Sequence, residues 1–246
     1  MHRLLVESAA LSLSEPELSP EAARHLKVLR PKSGEAIELF NGRGNYRVYR
    51  YDAALKRLVL PEGDNPGGPK FVERPSELTL FACVTKGSRW DWTIEKATEL
   101  GVTRIVPVVS ERTIVRIATN ERAAKRERWL RIAEEAARQS DAKWLPEITE
   151  PVEFKDSLEL VKTTDCYVGA LTEPMPEPLA QAVRTAAAKG GELPPAVYVG
   201  PEGDFTPEEL AALLEVATPT SFGPTILRAE TAAIFAVSVL QGVRMK

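Results

Sequence analysis

A chain of 246 residues, 43% hydrophobic and 27% charged, is long enough to bury one large core or two small ones without covalent staples. The only histidines are His2 and His25, and there is no C-x-x-C pair, which argues against a structural zinc site or any other metal centre. The formal net charge of −3 gives no overall attraction for a polyanion.

The two cysteines, Cys83 and Cys166, each lie inside an apolar run and read as small core hydrophobes. The opening segment MHRLLVESAALSLSEPELSP lacks the sustained apolar core of a signal peptide, and the longest apolar run, AAIFAVSVL, is too short for a bilayer. The expected compartment is the cytoplasm, with no membrane partner. Charge is unevenly spread: residues 1–145 hold 25 Lys and Arg against 20 Asp and Glu, and residues 146–246 hold 7 against 15. A polyanion would therefore meet the first 145 residues, although a merely solvated surface fits the same charges.

In chain order, Ser19-Pro20-Glu21-Ala22 starts a short helix, with Ser19 as N-cap, Pro20 at the first helical position and Pro31 as the stop. Apolar runs in AIELFNGRGNYRVYRYDAALKRLVL, broken at Asn41-Gly42-Arg43-Gly44-Asn45, predict a β-hairpin. PEGDNPGGPKFVERP, with four prolines and three glycines, reads as a linker, so a domain boundary is expected near residue 70. The first domain, residues 1–70, is then expected to be small, mostly β and a barrel.

Beyond the linker, in residues 74–246, the rhythm becomes strand, helix, strand. ELTLFACVT, RIVPVVS, DCYVGAL, PAVYVG and the region of SFGPTIL supply strands. Helices are expected at RWDWTIEKATELG, AKRERWLRIAEEAARQS, EPLAQAVRTAAAK, PEELAALLEVA and ETAAIFAVSVLQGV. Such alternation implies an α/β domain with a parallel sheet covered on both faces.

Three segments could carry chemistry. In AVYVGPEGDFTPEEL a buried strand runs into Gly200-Pro201-Glu202-Gly203, and a helix opens with Thr206, Pro207 and Glu209 in a capping-box pattern. Open α/β sheets bind ligands at such strand-to-helix loops, and Gly200 and Gly203 would let a ligand lie against bare backbone. The spacing matches neither a dinucleotide fingerprint nor a phosphate-binding P-loop, and no Ser-His-Asp set is present. In SFGPTILRAETAAIFAVSVLQGV, Arg228 and Glu230 stand at the mouth of an almost wholly apolar helix, where they must be paired or put to use. In VTKGSRWDWTIEKATELGVTRIVPVVSER, Lys86, Arg89 and Arg112 follow the ends of two strands and would form an anion-facing rim.

HLKVLRPKSGEAIELFNGRG, KGSRWDWTIEKATELGVTRIVPVVSER, RWLRIAEEAARQS, VGPEGDFTPEE and FGPTILRAETA occur in this order and span nearly the whole chain. Together they resemble the motifs of the bacterial 16S ribosomal RNA uridine-N3 methyltransferases, the RsmE type of the SPOUT superfamily. The resemblance implies a small N-terminal PUA-like β-barrel that binds RNA and a C-terminal α/β domain with a trefoil knot. It also implies a homodimer, S-adenosylmethionine as methyl donor, and 16S ribosomal RNA or the small ribosomal subunit as partner.

Residue by residue, the resemblance assigns the donor to Leu171 and Thr172, to Gly200, Pro201, Glu202 and Gly203, and to Ile226, Leu227 and Thr231. Arg228 would stabilise the uracil anion and Glu230 would orient Arg228. Arg3, Arg30, Lys86, Arg89 and Arg112 would grip the RNA backbone around an unstacked base. The chain departs from the family pattern at Asp204, where a Gly is usual, at Thr225 and Ala142, where Arg is usual, and at Ala229, where Thr is usual. Two alternatives stay open on these residues: another methyl transfer to RNA, at a ribose hydroxyl or a different base, and an RNA-binding assembly factor without turnover.

Overall fold

A computed structural model describes the chain apart from residues 62–67, 171, 173, 191–192 and 245–246. The chain divides into two compact units, Met1–Pro75 with Glu134–Leu145, and Ser76–Ala133 with Pro146–Lys246. This grouping differs from a single cut near residue 70 by the segment Glu134–Leu145.

The first unit is built on a five-stranded sheet. Strand β1 (His2–Leu5) runs parallel to β2 (Ala36–Phe40), which forms a hairpin with β3 (Asn45–Asp52); β4 (Arg57–Val59) and β5 (Lys70–Phe71) both pair antiparallel to β3. The period-2 pattern sends Ile37, Leu39, Tyr49 and Leu58 inward to meet Leu4, Leu11 and Leu26. Leu26 comes from helix α1 (Pro20–Leu29), capped by Ser19, whose hydroxyl accepts from the Ala22 N–H at 3.2 Å. Arg30, in the left-handed region, ends that helix ahead of Pro31, as the sequence predicts.

The hairpin turn is held by Asn41, whose Oδ1 accepts from the N–H groups of Arg43 (2.9 Å) and Asn45 (3.1 Å). The stretch expected to be a linker contributes β5, because Phe71 and Lys70 lie opposite Asn45 and Tyr46 on a free edge of β3. Its residues 62–67 fall outside the described residues.

The segment Glu134–Leu145 is tied to this sheet by charge. Glu38, on the face of β2 away from the core and 3% exposed, is paired with Lys143, which also meets Asp141 and lies 4.7 Å from the Tyr46 ring. Arg3 Nε sits 2.8 Å from Asp141 and 3.4 Å from Glu38, and Nη1 donates to the Arg138 carbonyl. A carboxylate that deep requires such partners.

The second unit is a seven-stranded parallel sheet. Its elements are β6 (Thr79–Cys83), α2 (Ser88–Glu99), β7 (Arg104–Val109), α3 (Arg122–Ser140, whose residues from Glu134 onward belong to the first unit), β8 (Glu147–Ile148), β9 (Val152–Glu153) and α4 (Phe154–Val161). There follow β10 (Asp165–Gly169), α5 (Leu179–Ala188), β11 (Pro195–Val199), α6 (Pro207–Leu214), β12 (Thr218–Thr220) and α7 (Ala229–Arg244). The strand order is β12-β10-β11-β6-β7-β8, with β9 also on β7.

Every residue of β6 is buried, as a strand covered on both faces requires. Leu80 and Ala82 face Trp90, Ile94 and the α7 residues Ala233, Val237 and Leu240. Phe81 and Cys83 face the opposite core, with Phe154, Tyr198 and Phe205. The expected strand at SFGPTIL is displaced: β12 precedes it, with Pro219 tolerated on the sheet edge, and residues 222–228 form an irregular loop. Among the described residues no helix is long and apolar enough to cross a membrane.

Two measurements probe this packing. A β-carbon at Gly44 (φ 88°) would lie 2.6 Å from the Val72 carbonyl oxygen and 2.8 Å from atoms of both Phe71 and Trp144. Gly44→Ala should therefore cost about 2–3 kcal/mol, read as a lower urea midpoint with unchanged slope. Burial pushes the Cys83 thiol up to about 12, and Cys166 is raised by the same cause. Both thiols should resist alkylation at pH 8 in the folded protein and react fully in denaturant.

Candidate active site

Three parallel strands, β11, β10 and β12, end side by side, and the chain beyond each of them lines one cavity of about 430 Å³. At the end of β10 and just beyond it come Gly169, Ala170 and Thr172; beyond β11, Gly200, Pro201, Glu202 and Asp204. Beyond β12, the loop from Ser221 to Leu227 leads into the first turn of α7, where Arg228, Ala229 and Ala232 complete the wall. Parallel α/β sheets bind ligands at this carboxyl edge because loops there leave backbone groups unpaired and helix N-termini converge.

The loop after β11 is held from behind. Phe205 packs among Phe154 and Tyr198, with ring centroids 5.8 and 5.6 Å away. Its ring edge lies 3.0 Å from where a Gly200 β-carbon would stand. Arg112 Nη1 donates to the carbonyls of Gly203 (3.1 Å) and Phe205 (3.2 Å). Thr206 and Glu209 form the predicted capping box at α6, and Glu209 also accepts from the Glu111 N–H at 2.8 Å. Gly200 is thus packed tightly against Phe205 and lines the cavity, whereas a β-carbon on Gly203 would make only ordinary contact with Arg112, at 3.4 Å, and Gly203 does not line the cavity.

The cationic rim is mostly engaged with the protein itself. Arg112 holds the loop. Arg89, in the first turn of α2, lies 3.4 Å from Glu202 and 3.8 Å from Glu230. Glu230, expected to orient Arg228, instead faces Arg89, and its buried Oε2 has no hydrogen-bond partner among the described residues. Arg228 is exposed at the cavity wall and enters no ion pair among the described residues. Lys86 is exposed beyond β6. Arg3 and Arg30 belong to the first unit, where Arg3 is tied up with Asp141 and Glu38 while Arg30 is exposed.

Of the remaining residues expected at the site, Thr172, Ile226 and Leu227 line the cavity, Thr231 does not, and Leu171 lies outside the described residues. Gly169, Ala170 and Phe222 were not foreseen. A β-carbon on Gly169 would meet the Phe222 ring at 2.7 Å, so the end of β10 admits that ring only because it is glycine. Applying the strand-end argument to VGAL as well as to VGPEG would have found this segment. The departures Thr225 and Ala229 both fall on the cavity wall.

A covered parallel sheet with a cavity at its carboxyl edge, walled by backbone-rich loops, is the architecture of a small-molecule-binding α/β domain. Residues 72–241 match the RNA methyltransferase domain, and the chain belongs to that family. Among its relatives are proteins named ribosomal RNA small subunit methyltransferase E. That of Synechocystis is 30% identical over 98% of this chain and 78% of its own length. That of Bacillus subtilis is 33% identical over 68% and 66%. The ribosomal RNA small subunit methyltransferase E of Neisseria gonorrhoeae, solved bound to S-adenosylmethionine, superposes with a TM-score of 0.78 at 26% identity, over 98% of this chain and 97% of its own. A Legionella pneumophila methyltransferase, solved with the same cofactor, gives 0.77 at 29% identity over 98% and 97%. The resemblance read from the motifs holds at the level of the family, and the chain is an RNA methyltransferase.

Asp204 offers a test of the loop. It stands at φ 58°, in the region glycine favours, and its Oδ1 accepts from the Phe205 N–H at 2.7 Å. Asp is among the few non-glycine residues that enter this region readily. Asp204→Ala should cost about 1–2 kcal/mol of stability, whereas Asp204→Gly should stay within about 1 kcal/mol of the parent in the same denaturation assay.

Proposed function

We propose that the chain transfers a methyl group from S-adenosylmethionine to N3 of a uridine in 16S ribosomal RNA, acting on the RNA alone or in the small ribosomal subunit. The observation that carries this reading is the placing of Arg228, a cation outside any ion pair among the described residues, on the wall of the strand-end cavity. The cavity suits the donor: about 430 Å³ lies in the size range of cofactor pockets, and its wall mixes backbone with apolar Val199, Phe222, Ile226 and Leu227. Gly200, Pro201, Glu202, Thr172 and Leu227 are the contacts we assign to it, and Leu171 is kept because both its neighbours line the cavity.

The donor supplies an already activated methyl on a sulfonium centre. What remains for the protein is to align the acceptor and favour the anion left when N3 loses its proton. Arg228 would do the second, its guanidinium facing the uracil oxygens where charge develops. Glu230 would position Arg89, and Arg89, Lys86 and Arg30 are the cations we assign to the RNA backbone. Arg3 and Arg112 are left out of that role, because Arg3 is only 19% exposed in its pairs with Asp141 and Glu38 and Arg112 holds two backbone carbonyls, whereas Arg89, 46% exposed, keeps a face for phosphate beside its carboxylates.

We assign the first unit to a PUA-like barrel and the second to a SPOUT domain with a trefoil knot, working as a homodimer in the cytoplasm. Helix α7 supports the dimer: Ala233, Val237 and Leu240 are buried, yet Phe235 is 38% exposed and packs on Phe222 of the cavity wall (5.8 Å). A second copy would cover this apolar strip at the edge of the site.

Mass spectrometry of small-subunit RNA after incubation with the protein and the donor should show 3-methyluridine, and RNA that gains no methyl group on uridine would refute the assignment. Arg228→Ala should lower turnover by at least about a hundredfold with donor affinity and dimer intact, because the interaction belongs to the transition state. Phe235→Glu should instead dissociate the dimer in sedimentation and lose donor binding and turnover together. A fully active monomer would remove the dimer from the mechanism.

A further inference from the structure

The first unit carries an aromatic surface that the site in the second unit does not use. Three separate segments converge on it: the hairpin turn at 42–45, strand β5, and residues 143–145. Gly44 N–H donates to the Lys143 carbonyl, Val72 N–H to the Gly44 carbonyl, and Trp144 Nε1 to the Val72 carbonyl, each at 2.9 Å. The Phe71 and Trp144 rings meet edge to face at 6.1 Å, a contact that only the missing side chain of Gly44 permits. The result is a rigid pair of rings, with Phe71 left 60% exposed.

A phenyl ring left this exposed on a two-residue strand gains little from burial, and a polar residue could stand there at no cost in apolar packing. The surroundings indicate what the ring is for. Arg74 lies over Trp144, its Cζ 6.0 Å from the ring centroid. Arg43, at the tip of the turn, and Lys70, beside Phe71, are both exposed. None of these three cations enters an ion pair among the described residues, and Glu73 is the one carboxylate within residues 70–74. The apolar area is confined to Phe71, Val72 and part of Trp144, too little for the core of a protein interface of about 800 Å² per partner.

We infer that Phe71, backed by Trp144 and flanked by Arg43, Lys70 and Arg74, is a stacking platform for an unpaired base of single-stranded RNA. A ring face takes any base, and the three cations take the phosphates on either side of it. The inference rests on RNA being the substrate, and it deepens that reading: the segment recognised must present at least one base free of its helix. It places RNA contacts on residues 43, 70, 71, 74 and 144, none of which a search for arginines at strand ends would select.

The test uses the full chain, a fluorescein-labelled single-stranded oligoribonucleotide, and the same strand annealed to its complement. Phe71→Ala should weaken single-strand binding about ten-fold, leave duplex binding unchanged, and leave the slope of log affinity against log salt unchanged. Phe71→Trp should restore the affinity. Arg43→Ala with Arg74→Ala should lower the salt slope by about 1.5 for both probes. S-adenosylmethionine affinity, read by calorimetry, should be the same in all variants. Single-strand binding by Phe71→Ala within two-fold of the parent would overturn the platform while leaving the methyltransferase reading standing. A smaller sedimenting species for Phe71→Ala would also overturn it, assigning the patch to contact with a second copy. A parent protein that binds neither probe would fail the RNA reading itself.

Discussion

The candidate site depends on one side chain that never reaches it. Phe205 anchors the loop after β11 by burying its ring between Phe154 and Tyr198 and against the bare Cα of Gly200. With that ring seated, the two carbonyls beside it point at Arg112, and Thr206 is placed to cap α6. Residues 201–204 are then spanned between fixed ends, which is how a short loop can present Pro201, Glu202 and Asp204 to a ligand without a large ordering cost. Burial of a large aromatic contributes on the order of several kcal/mol, and here it is used to hold backbone geometry.

The arrangement of charge follows from the same economy. The proposed reaction develops an anion at the acceptor, and a cation free of internal partners is the group best able to stabilise it. Arg112 donates to carbonyls and Arg89 is paired with Glu202 and Glu230, whereas Arg228, on the cavity wall, enters no ion pair among the described residues. In the first unit the cluster of Arg3, Glu38, Asp141 and Lys143 fastens residues 134–145 to the sheet. Buried ion pairs add little net stability over apolar packing, but an unpaired Glu38 would be costly, so the cluster selects one docking of that segment over others.

That segment also carries Lys143 and Trp144, so the same charges that hold it deliver the second ring of the aromatic pair beside Phe71. The Pro- and Gly-rich stretch at 61–75 is therefore more than a connection. Its end supplies β5, Phe71 and Arg74, and the prolines that mark it as a breaker do not prevent two residues from pairing with an open strand edge.

Much of this molecule was decided locally. The capping residues Ser19 and Thr206, the hairpin at Asn41, the mostly apolar β6 and the glycine-bearing end of β11 are short-range patterns, because caps, turns and strand periodicity involve neighbours within about four residues. They were enough to place a parallel α/β domain after a β-rich one and to point at Gly200, Gly203 and Arg228, while Glu202 and Leu227 came from the family resemblance. What the chain could not reveal by itself is which distant groups meet. That Glu230 faces Arg89 and leaves Arg228 alone, that Arg112 serves two carbonyls 91 and 93 residues away, and that Phe222 requires glycine at 169 are facts of long-range packing. An arginine reads the same in sequence whether its partner is a phosphate or a backbone oxygen. Only the folded chain, by bringing one acceptor within hydrogen-bond reach and excluding the rest, decides between them.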